Sequence, residues 1–157
     1  MSEQVTVGQP APHFTLPAST GGELGPADFS GDKAVVLYFY PKDDTTGCTA
    51  EACAFRDLNT EFAAKDSVIL GVSPDDLKKH GKFVNKYELN FPLLADAGSV
   101  VSMLYGVWQE KSMYGRKYMG VVRTTFLIDR KGIVRKIYPK VSVTGHADAV
   151  LKDLDLL

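Results

Sequence analysis

The sequence predicts an α/β fold, a central mixed sheet flanked by helices, on three observations. Two β-branched and aromatic runs, AVVLYFY (34–40) and SVILGVS (67–73), are apolar on both faces, as buried central strands are. The first leads into a stretch whose apolar residues recur at helical spacing, the second into the capping signals of another helix. Later, TTFLID and IVRKIY are joined by RKG, a hairpin signal, so antiparallel strands join a sheet built on crossovers.

Taken in order, HFTLPAS is a short strand candidate, and GGELGPADFSGDK, with four glycines and a proline, is loop. Pro41 ends the first central strand and DDTTG follows as a turn. A helix is expected from about Cys48 to about Lys65, with Phe55, Leu58 and Phe62 as its buried stripe. After the second central strand, Ser73 is expected to cap a helix that has Pro74 at its first position and Asp76 three residues on, and that runs to about Tyr87. FPLLAD reads as a short strand and SVVSMLYG as a short helix. HADAVLKDLDLL closes the chain as an amphipathic helix with Val150, Leu151, Leu154 and Leu157 on one side.

The 157 residues suit one domain, 1–157, with enough core to fold without staples. A net charge of −1 gives no field that would draw nucleic acid or an anionic membrane. No apolar run approaches the roughly 18 residues of a membrane span. The opening MSEQVTVGQPAPHF lacks a basic stretch followed by an apolar one, so no leader is expected, and the simplest location is the cytoplasm.

The chain has two cysteines, Cys48 and Cys53, both at the start of the first long helix. In a reducing compartment they are core thiols, metal ligands or redox groups rather than a permanent bridge. Cys48 falls in the first helical turn, beyond the C-terminal end of a buried strand, where open α/β sheets place their chemistry. Free N–H groups and the positive end of the helix dipole favour a thiolate there, and the thiolate is the nucleophile. Cys48, Ala52, Phe55 and Phe62 share a face, whereas Cys53 lies about 140° round, on the wetter side. Residues five apart in a regular helix have Cα atoms about 8.7 Å apart, beyond the roughly 7 Å limit for a disulfide. Bridging the two requires local unwinding, which suits a switch better than a staple. Zinc is the poorer alternative, because His13, His80 and His146 are scattered without ligand spacing.

PKDDTTGCTAEAC contains a proline, three residues, a threonine, two residues and a cysteine: Pro41, Thr45, Cys48. In this it resembles the peroxiredoxin signature. The second cysteine five residues on, with Glu51 between, resembles the Q-type, or bacterioferritin comigratory, subfamily. VGQPAPHFTLP, VVLYFYPKD, GVSPDDLKKHGKFVNKYELNFPLLAD and VVRTTFLIDRKGIVRKIY extend the likeness over nearly the whole chain. The resemblance implies a thioredoxin-like fold and the reduction of hydroperoxides by thiols. It implies Cys48 as the peroxidatic and Cys53 as the resolving cysteine. It further implies Thr45 as a hydrogen-bonding partner of peroxide and thiolate, Pro41 as a shield against water, and Arg123 as the distant cation completing the pocket. Read without it, Pro41 ends a strand, Thr45 caps a turn, Arg123 is solvated, Glu51 complements the helix dipole, and Tyr105 and Trp108 are core or pocket wall.

The expected reductant is thioredoxin or a glutaredoxin, with no metal, haem or flavin. Both cysteines serving one chain points to a monomer. No third cysteine, Gly-Gly-Leu-Gly insertion or Tyr-Phe tail is present, so no intersubunit disulfide is expected. A thiol–disulfide oxidoreductase and a redox-switched binding protein or holdase are the alternatives.

Overall fold

The computed structural model describes residues 5–157. The reading of the first four residues as free of a leader lies outside the described residues. Elements run β1 (Leu16–Pro17), β2 (Glu23–Leu24), β3 (Ala34–Phe39), α1 (Thr46–Ala64), β4 (Ser67–Ser73), α2 (Leu77–Tyr87), β5 (Leu93–Ala95), α3 (Val100–Leu104), β6 (Trp108–Met113), β7 (Arg116–Val121), β8 (Thr124–Ile128), β9 (Val134–Tyr138) and α4 (His146–Asp153), with short 3₁₀ turns between some of them.

The main sheet has the order β5-β4-β3-β8-β9. β3 pairs in parallel with β4, and β4 with β5, while β8 and β9 are antiparallel additions. The two apolar runs therefore sit side by side, and every residue of β3 is buried. Successive side chains of β3 feed opposite layers. Val36 and Tyr38 pack with Cys48, Ala52, Phe55 and Phe62 of α1 and with Ala147 and Val150 of α4. Val35, Leu37 and Phe39 pack with Val101, Tyr105, Val107 and Val121 on the other face. Burial of each large apolar side chain contributes about 1.5–3 kcal/mol, so these layers hold α1 firmly against β3.

Several expectations need correction. Ser73 is the last residue of β4, and its hydroxyl donates to Asp75. The cap of α2 is Asp76, whose carboxylate accepts from the Lys79 N–H at 2.9 Å. The candidate strand HFTLPAS shortens to Leu16–Pro17, paired with the two residues of β2. Leu157 lies beyond α4 and is 40% exposed, whereas Val150 and Leu154 are buried. The β6–β7 hairpin was not anticipated. Both its faces are largely exposed, so it lacks the alternation that marks a half-buried strand. Its turn places Tyr114 and Gly115 at positive φ, 52° and 78°, the conformation of a tight two-residue hairpin.

Candidate active site

β3 delivers the chain to the site. The Tyr40 N–H donates to Val72 at 3.0 Å, Pro41 leaves the sheet, and a five-residue turn reaches α1. Thr45 is the extended N-cap residue of α1. The first helical bond runs from the Thr49 N–H to the Thr45 carbonyl at 2.8 Å, so the N–H groups of Thr46, Gly47 and Cys48 precede the ladder. These donors and the dipole make the helix start electropositive. The Thr45 hydroxyl donates to the Lys42 carbonyl at 2.9 Å, which leaves its lone pairs as acceptors. Pro41 and Thr45 are half-buried at the mouth.

Cys48 is buried at 1% exposure and Cys53 is half-buried; both are free thiols in one continuous helix. Arg123 lies in the short link between β7 and β8, one residue before β8 begins. Its Nη2 donates to Cys48 Sγ at 3.4 Å and its Nη1 to Glu51 Oε1 at 2.7 Å. A guanidinium thus spans the cysteine and a carboxylate one helical turn further on. Burial alone would weaken the Arg123 charge, but Glu51 and Cys48 outweigh it and hold the group firmly protonated.

Glu51 was read as an acid complementing the helix dipole; it is instead 1% exposed and ion-paired. Burial pushes its carboxyl up to about 7, against the opposing pull of Arg123. Oε2 has no hydrogen-bond partner among the described residues, and neither has the Tyr38 hydroxyl. Burial first, then the charges of Glu51 and Cys48, drive the Tyr38 phenol well above its ordinary range. Gly47 was read as part of the turn, but its missing side chain admits the arginine: a Cβ there would lie 3.0 Å from Arg123 Nη2. The sequence held a signal for Glu51. Cys48, Glu51, Ala52 and Phe55 fall on one helical face, so an acid stood in the buried stripe. Tyr105 does not wall this pocket; it packs on the opposite side of the sheet and donates its hydroxyl to Pro12 at 2.6 Å. Trp108 is partly buried against that same layer.

A sheltered cysteine sulfur at a helix start, beneath a guanidinium, on a thioredoxin-like sheet is equipped for nucleophilic thiol chemistry with charge stabilisation close by. The chain matches the AhpC/TSA family over residues 7–137 and belongs to it. A Coxiella burnetii protein is 49% identical over 147 residues, 94% of this chain and 97% of its own length. Peroxiredoxin Bcp of Bacillus subtilis is 46% identical over 150 residues, 96% of this chain and 95% of its own. Among solved structures, Xanthomonas campestris peroxiredoxin Q superposes with a TM-score of 0.86 at 40% identity, covering 91% of this chain and 90% of that one. The thioredoxin-like fold and the thiol peroxidase activity of a peroxiredoxin follow, with a peroxide as substrate and a thiol as source of electrons. Among the described residues, no helix is long and apolar enough to cross a membrane.

Proposed function

We propose that Cys48 is the peroxidatic cysteine, that Cys53 resolves it within the same chain, and that Arg123, Thr45 and Pro41 complete the pocket. The observation that carries this reading is the 3.4 Å contact of Arg123 Nη2 with Cys48 Sγ at the start of α1.

The Cys48 thiolate attacks one oxygen of the hydroperoxide. The S–O bond forms as the O–O bond breaks, and the pair of electrons leaves on the other oxygen. Arg123 and the free N–H groups of the helix start stabilise that developing charge. The Thr45 hydroxyl, already donating to Lys42, accepts a hydrogen bond from the peroxide and orients it. The leaving oxygen takes a proton and departs as alcohol or water, and Cys48 is left as a sulfenic acid. Pro41 limits water at the mouth.

Resolution requires the geometry to change. At regular helical geometry the two Cα atoms are about 8.7 Å apart, beyond disulfide reach. The first turns of α1 unwind, Cys53 sulfur displaces the sulfenic hydroxyl, and water leaves. A dithiol protein, thioredoxin or a glutaredoxin, then reduces the Cys48–Cys53 bond by exchange and is itself oxidised. Both cysteines on one helix favour a monomeric catalytic unit, and the cytoplasm supplies the reductant.

Stopped-flow measurement of thiol loss on mixing with peroxide tests the assignment. Cys48→Ser abolishes the reaction, and Cys53→Ser leaves its first step intact. Peroxide turnover by Cys48→Ser at the wild-type rate overturns it.

A further inference from the structure

Beneath the Pro41–Thr45 turn, on the side away from Arg123, lies a second polar cluster that the reaction above does not use. His80 of α2 is 0% exposed. Its Nε2 is 2.9 Å from the Leu94 carbonyl and its Nδ1 is 2.6 Å from Asp43 Oδ2. The Tyr40 hydroxyl donates to Asp43 Oδ1 at 2.6 Å. The Asp43 N–H donates to Asp75 Oδ2 at 2.7 Å, and the Ser73 hydroxyl donates to the same oxygen at 2.8 Å.

Counting hydrogens defines the bonds of this pair. A carbonyl oxygen only accepts, so Nε2 carries hydrogen. At 2.6 Å, Nδ1 and a carboxylate oxygen also need a hydrogen between them, since two lone pairs would repel. Among the described residues, no lysine pairs with Asp43. Lys79 lies 3.8 Å from Asp75, and Lys42 and Lys82 line the groove above with Phe83.

We infer that the buried, hydrogen-bonded pair of His80 and Asp43 positions the turn carrying Pro41 and Thr45, making His80 a positioning residue for the peroxidase reaction. Asp43 is the central residue of that turn. Its side chain is tied to α2 and to the end of β3, and its main chain to the loop after β4. The Thr45 hydroxyl donates back to the carbonyl of Lys42, the residue next to Asp43. Removing the imidazole leaves a buried carboxyl group without its hydrogen-bond partner, and such a group turns toward water. That motion carries Thr45 and the start of α1 with it.

The inference rests on the assignment of Cys48 as peroxidatic, and its test separates the two. Nitrogen-15 spectra of the reduced protein, labelled at histidine, are recorded near neutral pH, with His80→Asn identifying the His80 signals. A protonated Nε2 on His80 is expected. A pyridine-type Nε2 on His80 overturns the inference and leaves Cys48 untouched. In stopped-flow, His80→Leu is expected to slow peroxide attack by about tenfold or more, as a misplacement of order 1 Å does. His80→Asn, which keeps a donor toward Asp43, is expected to recover most of the rate. An unchanged rate in folded His80→Leu, or no recovery in folded His80→Asn, also overturns the inference. Activity in Cys48→Ser defeats the peroxidatic assignment whatever the state of His80.

Discussion

Arg123 holds Cys48 and Glu51 in one grip: Nη2 donates to the sulfur and Nη1 to the carboxylate, at 3.4 and 2.7 Å. The cation is therefore fixed in orientation by an acid that is itself inaccessible to water. An arginine anchored in this way needs little reorganisation when charge develops on a peroxide oxygen.

Loss of that preorganisation is measurable. Arg123→Ala should slow peroxide attack by roughly 100-fold, the scale seen when one charge-stabilising donor is removed. Arg123→Lys keeps the charge but cannot serve Glu51 and Cys48 with two arms, so it should recover only part of the rate. The alkylation rate of Cys53 serves as control and should stay near wild type in both. Wild-type peroxide kinetics in Arg123→Ala would make the arginine structural.

Gly47 offers a test that separates stability from catalysis. Alanine within a helix gains up to about 1 kcal/mol over glycine. Its Cβ would meet Arg123 Nη2 at 3.0 Å, and the arginine, being the movable partner, would give way. Gly47→Ala should therefore unfold at equal or higher urea concentration yet react with peroxide more slowly. A faster or unchanged reaction contradicts the close approach.

Glu51 makes stability depend on pH in a definite direction. Its folded-state value of about 7 lies above the ordinary 4.5. The fold therefore prefers the protonated acid, and the associated stability is full below about 4.5 and is lost as pH rises through about 7. Between about pH 5 and pH 8 this group alone should cost roughly 2–3 kcal/mol. Urea titrations in a Cys48→Ser background, with and without Glu51→Gln, isolate it. The gap between the two should shift by that amount in favour of Glu51→Gln at high pH, and a constant gap refutes the shift.

The sequence made the sheet's centre and the face of α1 readable because burial there follows simple periodicity. β4 and β8 begin where expected, β9 begins one residue later, and Phe55 and Phe62 are fully buried. What escaped depends on distant residues meeting. His80 and Asp43 are 37 positions apart, and nothing in either neighbourhood announces the pair. Ser73 and Asp76 are both good caps, and only the path of the chain through Pro74 decides between them. Most of the hairpin Trp108–Val121 is exposed and only its ends reach the core, so no burial pattern marks it. At the site, the spacing of the cysteines was plain in the sequence, whereas the reason for a glycine at 47 lay in an arginine 76 residues away.

The proposed unwinding of α1 should be bounded by two tethers. The Tyr87 hydroxyl donates to Asp44 at 2.8 Å, and the Arg56 guanidinium donates to the Tyr87 carbonyl at 2.6 Å. One residue of α2 thus tethers the chain on both sides of residues 46–55. Hydrogen exchange should show these residues losing protection on oxidation while β3 and the later turns of α1 keep theirs. Equal protection in both redox forms contradicts the unwinding.

Cys53→Ser should form the sulfenic acid on Cys48 at the normal rate, then persist in that state or overoxidise to the sulfinic acid. Mass spectrometry after a peroxide pulse follows both steps. Sustained thioredoxin-driven turnover by this variant would remove Cys53 from the required cycle.

The most direct measurement adds one equivalent of peroxide to the fully reduced protein and records free thiols and intact mass. Cys48 attack followed by Cys53 resolution predicts that both thiols vanish together and that the monomer mass falls by two hydrogens. A product that keeps one thiol and gains oxygen, a disulfide-linked dimer, or two unreacted thiols would contradict the account.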